Sequence, residues 1–235
     1  MLNYDNLTIS QATAIQNEMR VDISLLTENK TITTIAGADI SHNKYSETVY
    51  AGIVILSYPD MVLQSYSLIT AETKFPYIPG YLGFRETPAL LEAWRQIPQK
   101  PDITVLDGQG ITHPRRMGIA SHFGLLSDCA TIGCAKNMLF GNYNALPEEK
   151  FSNNPIYINS DIAGYALRTK NNVKPVFISP GHKISVEDSL AVMLQCTGNY
   201  RIPEPTRLAH DYVNLFRTGK LTAGYHKVNV QGSLF

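Results

Sequence analysis

Apolar residues at Ala12, Ile15, Met19, Ile23 and Leu26 recur at three- and four-residue spacing, which predicts an amphipathic helix over residues 10–26. The period then changes. Three β-branched and apolar runs, 32–40, 49–56 and 61–70, are separated by the turn-rich stretches 41–47 and 57–60. Short connections make such runs an antiparallel three-strand meander. The middle run, VYAGIVIL, is almost continuously apolar, as a central strand covered on both faces should be.

The segment PYIPGYLGFRETP then reads as a proline- and glycine-rich loop. Thr87 and Pro88 read as the N-cap and first residue of a helix striped by Leu90, Leu91, Trp94 and Ile97. A short buried strand over 103–106 ends in Asp107-Gly108-Gln109-Gly110. A helix over 116–126 and a strand over 130–133 complete a parallel strand–helix–strand succession. Residues 156–169 and 174–179 read as a hairpin around Asn171-Asn172. Ser185 and Asp188 form a capping box for a helix through Gln195. Pro205 opens a last helix striped by Leu208, Tyr212, Leu215 and Phe216, and the tail from Thr222 carries no pattern. A meander followed by parallel strands and helices is the layout of a ribonuclease-H-like α/β fold: a mixed sheet flanked by helices. No shift of composition marks a linker, so residues 1–235 read as one domain.

Composition adds exclusions. The 235 residues carry 20 basic and 20 acidic side chains, a formal net charge of +0, with 17% charged and 44% hydrophobic residues. That balance excludes charge-driven disorder and a protein that coats nucleic acid by bulk charge. A local basic groove stays compatible with it. No apolar run approaches the roughly 20 residues of a membrane span, and Met1–Ser10 lacks the pattern of a secretory signal. Cys129, Cys134 and Cys196 are odd in number and lack CxxC spacing, against a disulfide framework or a cysteine zinc site. These features fit a cytoplasmic protein without membrane attachment.

Three carboxylates stand in telling places. Asp39 lies inside the apolar strand IAGADIS, Asp107 ends the strand TVLDGQG, and Glu86 stands at the mouth of a helix in GFRETP. A lone buried carboxylate must be paired, protonated or bound to a cation. Each is also compatible with a plainer role: a cap, a turn residue or an arginine partner. If the meander adjoins the parallel strand, Asp39 and Asp107 lie side by side, and Glu86 can join them. Three oxygen donors without cysteine suit Mg²⁺ or Mn²⁺. Nearby, His113-Pro114-Arg115-Arg116 reads as a helix opening, which favours anions, or as a solvated turn. Lys136 follows a strand, where a lysine can hold a phosphate oxygen. His210 lies on the polar face of the last helix, a place also common for structural histidines. Tyr77, between Pro76 and Pro79, is held out rigidly, as a ring that stacks on or wedges between nucleobases would be.

The stretches GADIS, PYIPGYLGFRE, LDGQGITHPRRMGIASHFGLL, GCAKNMLFG, ISPGHKIS and RIPEPTRLAHDY, in this order, resemble the endonuclease V (deoxyinosine 3′ endonuclease) family from about Ile35 to Tyr212. The resemblance implies a DNA repair enzyme that recognises deaminated bases, chiefly hypoxanthine. It would hydrolyse the second phosphodiester bond 3′ to the lesion, leaving a 3′-hydroxyl and a 5′-phosphate, with Mg²⁺, for which Mn²⁺ can substitute. It places catalytic roles on Asp39, Glu86, Asp107, Lys136 and His210, with the three carboxylates as metal ligands. It places the wedge on Pro76, Tyr77, Ile78 and Pro79, and the lesion pocket beside Gly80, Leu82 and His113. Arg115 and Arg116 would contact the DNA. Tyr81 departs from the family pattern, which carries a smaller aliphatic residue there. The expected partner of this monomer is DNA containing a deaminated base. The alternatives are an inosine-directed endoribonuclease on the same scaffold, the related nuclease domain of the excision-repair incision protein, which lacks the wedge, and a non-catalytic lesion-binding module.

Overall fold

In a computed structural model of the chain, residues 4–44 and 46–228 are described. The first residues of the stretch without a signal pattern, and the end of the unpatterned tail, lie outside them. The elements are α1 (Ile9–Met19), β1 (Thr34–His42), β2 (Thr48–Ser57), β3 (Leu63–Glu72), α2 (Leu82–Gln96), β4 (Ile103–Leu106), α3 (Ile119–Ser127), β5 (Ala130–Ala135), β6 (Asn153–Ile158), β7 (Asp161–Leu167), β8 (Val176–His182), α4 (Val186–Gln195), α5 (Glu204–Arg217) and β9 (Gly224–Lys227).

The strands form one mixed sheet in the order β6-β7-β8-β5-β4-β1-β2-β3-β9. β1, β2 and β3 are the antiparallel meander, while β1, β4 and β5 run parallel. This is the expected α/β layout. On one face, Leu90, Leu91 and Trp94 of α2 and Phe123 of α3 pack over Ala36, Ala38, Ile53 and Ile55. On the other, Val192 and Met193 of α4 pack over Ile35, Val105 and Ile132, and Val213 and Phe216 of α5 over Leu68. β2 is therefore covered on both sides, which its unbroken apolar run required. No helix among the described residues is long and apolar enough to cross a membrane.

Gly37 decides where α5 sits. A Cβ there would lie 1.8 Å from the Pro205 carbonyl oxygen, so only glycine lets the start of α5 rest on β1. From Pro205 to His210 the helix rises about 7.5 Å, and from Gly37 to Asp39 the strand advances about 6.6 Å. His210 thus arrives beside Asp39. The stripe that meets the sheet is Pro205, Thr206, Ala209, Val213 and Phe216, turned from the expected one because small residues must face that contact.

Several expected boundaries move. The first helix stops at Met19, and after a 3₁₀ turn over Arg20–Asp22 the chain is extended. Ser24 pins this segment: its N–H donates to His182 Nδ1 at 3.2 Å and its carbonyl accepts from the Lys183 N–H. Leu26 is consequently exposed. α2 begins at Leu82, so Pro88 is interior, Thr87 is no N-cap and Glu86 lies in the second turn rather than at the mouth. α3 begins only at Ile119, so HPRR does not open a helix. Arg116 is left-handed at φ 58°, and Gly118 rests against the Gln109 carbonyl, where a Cβ would meet the oxygen at 2.2 Å. The run 156–169 is split by a turn at Asn159, also left-handed, into β6 and β7. The Asn171-Asn172 turn does join antiparallel strands, β7 and β8. The tail supplies β9, which pairs with β3; four residues are too few to show a period.

Candidate active site

The parallel register of β1 on β4 ends at Ala38 opposite Leu106, and the Asp107 N–H donates to the Ala38 carbonyl at 3.3 Å. Asp39, within β1, and Asp107, just past the end of β4, therefore follow in step on adjacent strands, at the carboxyl end of β4, the usual side for a site on a parallel sheet. Lys136 lies just past the end of β5, and its Nζ donates to Asp107 Oδ2. His210 Nδ1 donates to Asp39 Oδ2 at 2.8 Å. The Asn214 amide is 3.0 Å from His210 Nε2, while its oxygen accepts from Ser41 Oγ at 3.1 Å. Glu86 descends from α2 onto the same spot. Part of its surface is open, yet protein surrounds the carboxyl, and Asp39 and Asp107 are near enough to act on it.

The electrostatics are those of crowded like charges. Burial, and then Asp39 and Asp107, raise the Glu86 pKa well above the carboxylate range, against a smaller opposing effect of Arg85. Burial and Asp39 also raise Asp107, opposed by Lys136. Burial alone would lower Lys136, but Asp107 outweighs it and the ammonium is held protonated. The hydrogen bond to Asp39 raises His210, against burial. Three carboxylates with oxygen donors only and an excess of negative charge suit a hard divalent cation. In the conformation seen, Asp107 is turned to Lys136 and Asp39 to His210. No three His, Cys, Asp or Glu side chains among the described residues are already arranged around a metal position.

A cleft of about 300 Å³ runs from Asp107 and Lys136 to Tyr77, Pro79, Gly80 and His113. Tyr77 is 65% exposed, so it projects as the flanking prolines required, whereas Ile78 and Leu82 are half-buried in the lining. The Tyr81 N–H donates to the Ile78 carbonyl at 3.0 Å, with Gly80 at φ +83°. That is a type II turn, for which Pro-Gly is the fitting pair. His113 is buried. Its Nδ1 accepts from the Arg115 and Met117 N–H groups at 3.1 and 3.3 Å, and its Nε2 donates to the Gly80 carbonyl at 2.9 Å. Burial pushes its pKa down to about 4, so it is neutral.

The HPRR segment thus does not present a row of free cations. The Arg115 guanidinium donates to the Gly80 carbonyl at 2.9 Å and stacks on the Tyr81 ring. Arg116 pairs with Asp161 at 3.5 Å. Two site residues escaped the sequence reading. Asn214 is a helix i+4 neighbour of His210, a spacing that could have flagged it. Gln16 is fully buried on α1, next to Ile15, to which the apolar stripe had been assigned.

Residues 16–211 match the family model described as Endonuclease V. The endonuclease V of Gloeobacter violaceus is 41% identical over 218 residues, 92% of this chain and 89% of that protein. The crystal structure of the Streptomyces avermitilis endonuclease V superposes with a TM-score of 0.85 at 35% identity, over 92% of this chain and 95% of the other. The Ciona intestinalis endonuclease V, solved in complex with DNA containing an inosine followed by a ribo-adenosine, gives a TM-score of 0.79 at 26% identity, over 90% and 98% of the two chains.

Proposed function

The chain belongs to the endonuclease V family, and from that membership we propose that it is a DNA repair endonuclease directed at deaminated bases, chiefly hypoxanthine. It hydrolyses the second phosphodiester bond on the 3′ side of the lesion. The observation that carries the reading is the continuity of one cleft, from the projecting Tyr77 and the Gly80–His113 wall to Asp107 and Lys136, beside which Asp39 and Glu86 lie close enough to act on Asp107 and on each other. A base reader and a phosphodiester cutter need such a connection. The inosine-containing DNA bound by the Ciona relative supports the same substrate class.

Asp39, Glu86 and Asp107 would hold Mg²⁺, for which Mn²⁺ can substitute. When bound, such an ion supplies positive charge against the scissile phosphate and makes a water acidic enough to attack. Lys136 donates from Nζ, to Asp107 at rest and to a phosphate oxygen in the complex. His210, held by Asp39 and Asn214, orients the attacking water. The water oxygen bonds to phosphorus, the bond to O3′ breaks, and O3′ takes a proton; the products are a 3′-hydroxyl and a 5′-phosphate. Tyr77, with Pro76, Ile78 and Pro79, fills the gap left by the extruded base. A deaminated base pairs poorly, which lowers the cost of leaving the stack. Gly80, Leu82 and His113 line the pocket that receives it. Arg115 acts there by holding the loop, and Arg116 meets the DNA backbone.

The test is to incubate the protein with a duplex containing one inosine, with Mg²⁺ or with a chelator, and to map the ends. A nick at the second 3′ bond, dependent on the cation and absent from undamaged duplex, is expected. Cleavage only of inosine-containing RNA in a parallel assay would replace this reading by an endoribonuclease. Binding without any nick would replace it by a lesion-binding module.

A further inference from the structure

The Gly80 carbonyl, in the turn that borders the cleft, accepts from three side chains. Gln16 Nε2 donates at 3.0 Å, His113 Nε2 at 2.9 Å and Arg115 Nη2 at 2.9 Å. Gln16 Nε2 also donates to the Met117 carbonyl at 3.2 Å, and Gln16 Oε1 accepts from Arg115 Nε. One buried amide on α1 therefore binds both walls of the cleft, the 78–81 turn and the 113–118 segment. A second tie lies beside it. The Tyr81 hydroxyl donates to Thr13 Oγ1 at 2.7 Å, since the Thr13 hydroxyl itself donates to the Ile9 carbonyl.

These contacts have a mechanical consequence. An amide that donates to one wall and accepts from the arginine of the other fixes the distance between them. The Gly80 peptide cannot rotate without breaking three hydrogen bonds to buried or half-buried donors, each costly to leave unmade. Tyr81 is placed by Thr13 and by the Arg115 guanidinium on its ring. α1 itself lines none of the cleft, so its influence on a bound base passes through this turn and the 113–118 segment.

We propose that Gln16, seconded by Thr13, is a positioning residue that sets the width of the pocket mouth and so decides which extruded bases the protein admits. This rests on the reading of the cleft as the base pocket. Gln16→Leu keeps the bulk and removes both hydrogen-bonding functions. Gln16→Glu keeps the acceptor for Arg115 but has no donor for Gly80. Thr13→Val cuts the second tie at a half-buried position.

Steady-state nicking of duplexes containing inosine or uracil is measured together with the melting temperature. Both Gln16 variants should raise KM for the inosine duplex about tenfold while kcat falls less than threefold. The preference for inosine over uracil should narrow by a similar factor. Thr13→Val should do the same by about threefold, and it decides the matter if the Gln16 variants fail to fold. Equal losses on both substrates, in step with a lowered melting temperature, would make Gln16 merely structural and overturn the proposal. Unchanged KM and preference in folded Gln16 variants would overturn it too, while wild-type nicking stands. A wild type that leaves the inosine duplex intact would overturn the functional reading, and this inference with it.

Discussion

Beside one end of the cleft, Asp39, Glu86 and Asp107 meet as like charges, relieved by Lys136 and His210 and, more weakly, by Arg85. At the other end, the Gly80 carbonyl is saturated by Gln16, His113 and Arg115, and the histidine within that network is neutral. The first end is electrostatically incomplete and needs a positive partner. The second is complete in itself and holds a shape. A site that must bind a cation and a phosphate keeps uncompensated charge, while a site that must discriminate one planar base from another keeps rigidity. The two ends share one cavity but should respond to different perturbations.

The sharpest way to separate them is to remove charge at the first. Asp39→Asn or Asp107→Asn should slow single-turnover nicking of an inosine duplex at least a thousandfold, about 4 kcal/mol in barrier. Affinity by gel shift should stay within threefold or tighten, because the loss of a negative charge weakens the cation site and lessens repulsion of phosphate. A double variant that still nicks at near wild-type rate would remove these residues from the chemistry.

A smaller and opposite signature is expected at the pocket end. Tyr77→Ala should weaken binding of the inosine duplex by about tenfold to a hundredfold, the roughly 1–3 kcal/mol of an aromatic–base stack. Single-turnover nicking at saturating protein should remain within a few fold. The loss should shrink in single-stranded DNA, where no gap must be held open. A uniform loss on damaged and undamaged duplexes, with a lowered melting temperature, would mean that the ring is structural.

The effect that is smallest for any single pH step is on stability. His113 titrates near 4 in the folded protein and near 6.5 when unfolded. Between these values the unfolded chain binds the proton and the folded one does not. Stability therefore falls as pH drops through this window, by about 1.4 kcal/mol per pH unit from this group. His122, pushed down to about 3 by burial, acts in the same direction. Urea unfolding of wild type and His113→Gln at several pH values should give a shallower slope for the variant. Parallel slopes would show that His113 is not the neutral hub of the pocket end.

Much of this arrangement is legible in the chain. The meander, the buried strand that ends at Asp107 and the acidic break in IAGADIS follow from period and from the cost of burying charge. Placing one carboxylate within a strand and another at a strand end needs only local pattern, and a parallel pairing brings the two side by side. Tyr77 between prolines likewise advertises its own exposure. The helix starts were less legible. Thr87-Pro88 has the form of a helix opening, but α2 begins at Leu82, where the 78–81 turn hands the chain to the helix. HPRR suggests free amides and free cations, yet Gly118 against Gln109 delays α3, and Arg115 turns inward.

Features that depend on neighbours along the chain can be read from it directly: the alternation of strands, the capping of α4 by Ser185, the Pro79-Gly80 turn, and the presence of three carboxylates that cannot be buried alone. Features that depend on atoms far apart in sequence emerge only on folding. Gln16 meets Gly80 and Arg115 across separations of 64 and 99 residues, and His210 meets Asp39 across 171. Periodicity carries no information about such pairs. They form because Gly37 lets α5 lie on β1, and because the buried amide of Gln16, withdrawn from water, must find its partners in whichever loops the packed sheet brings to it.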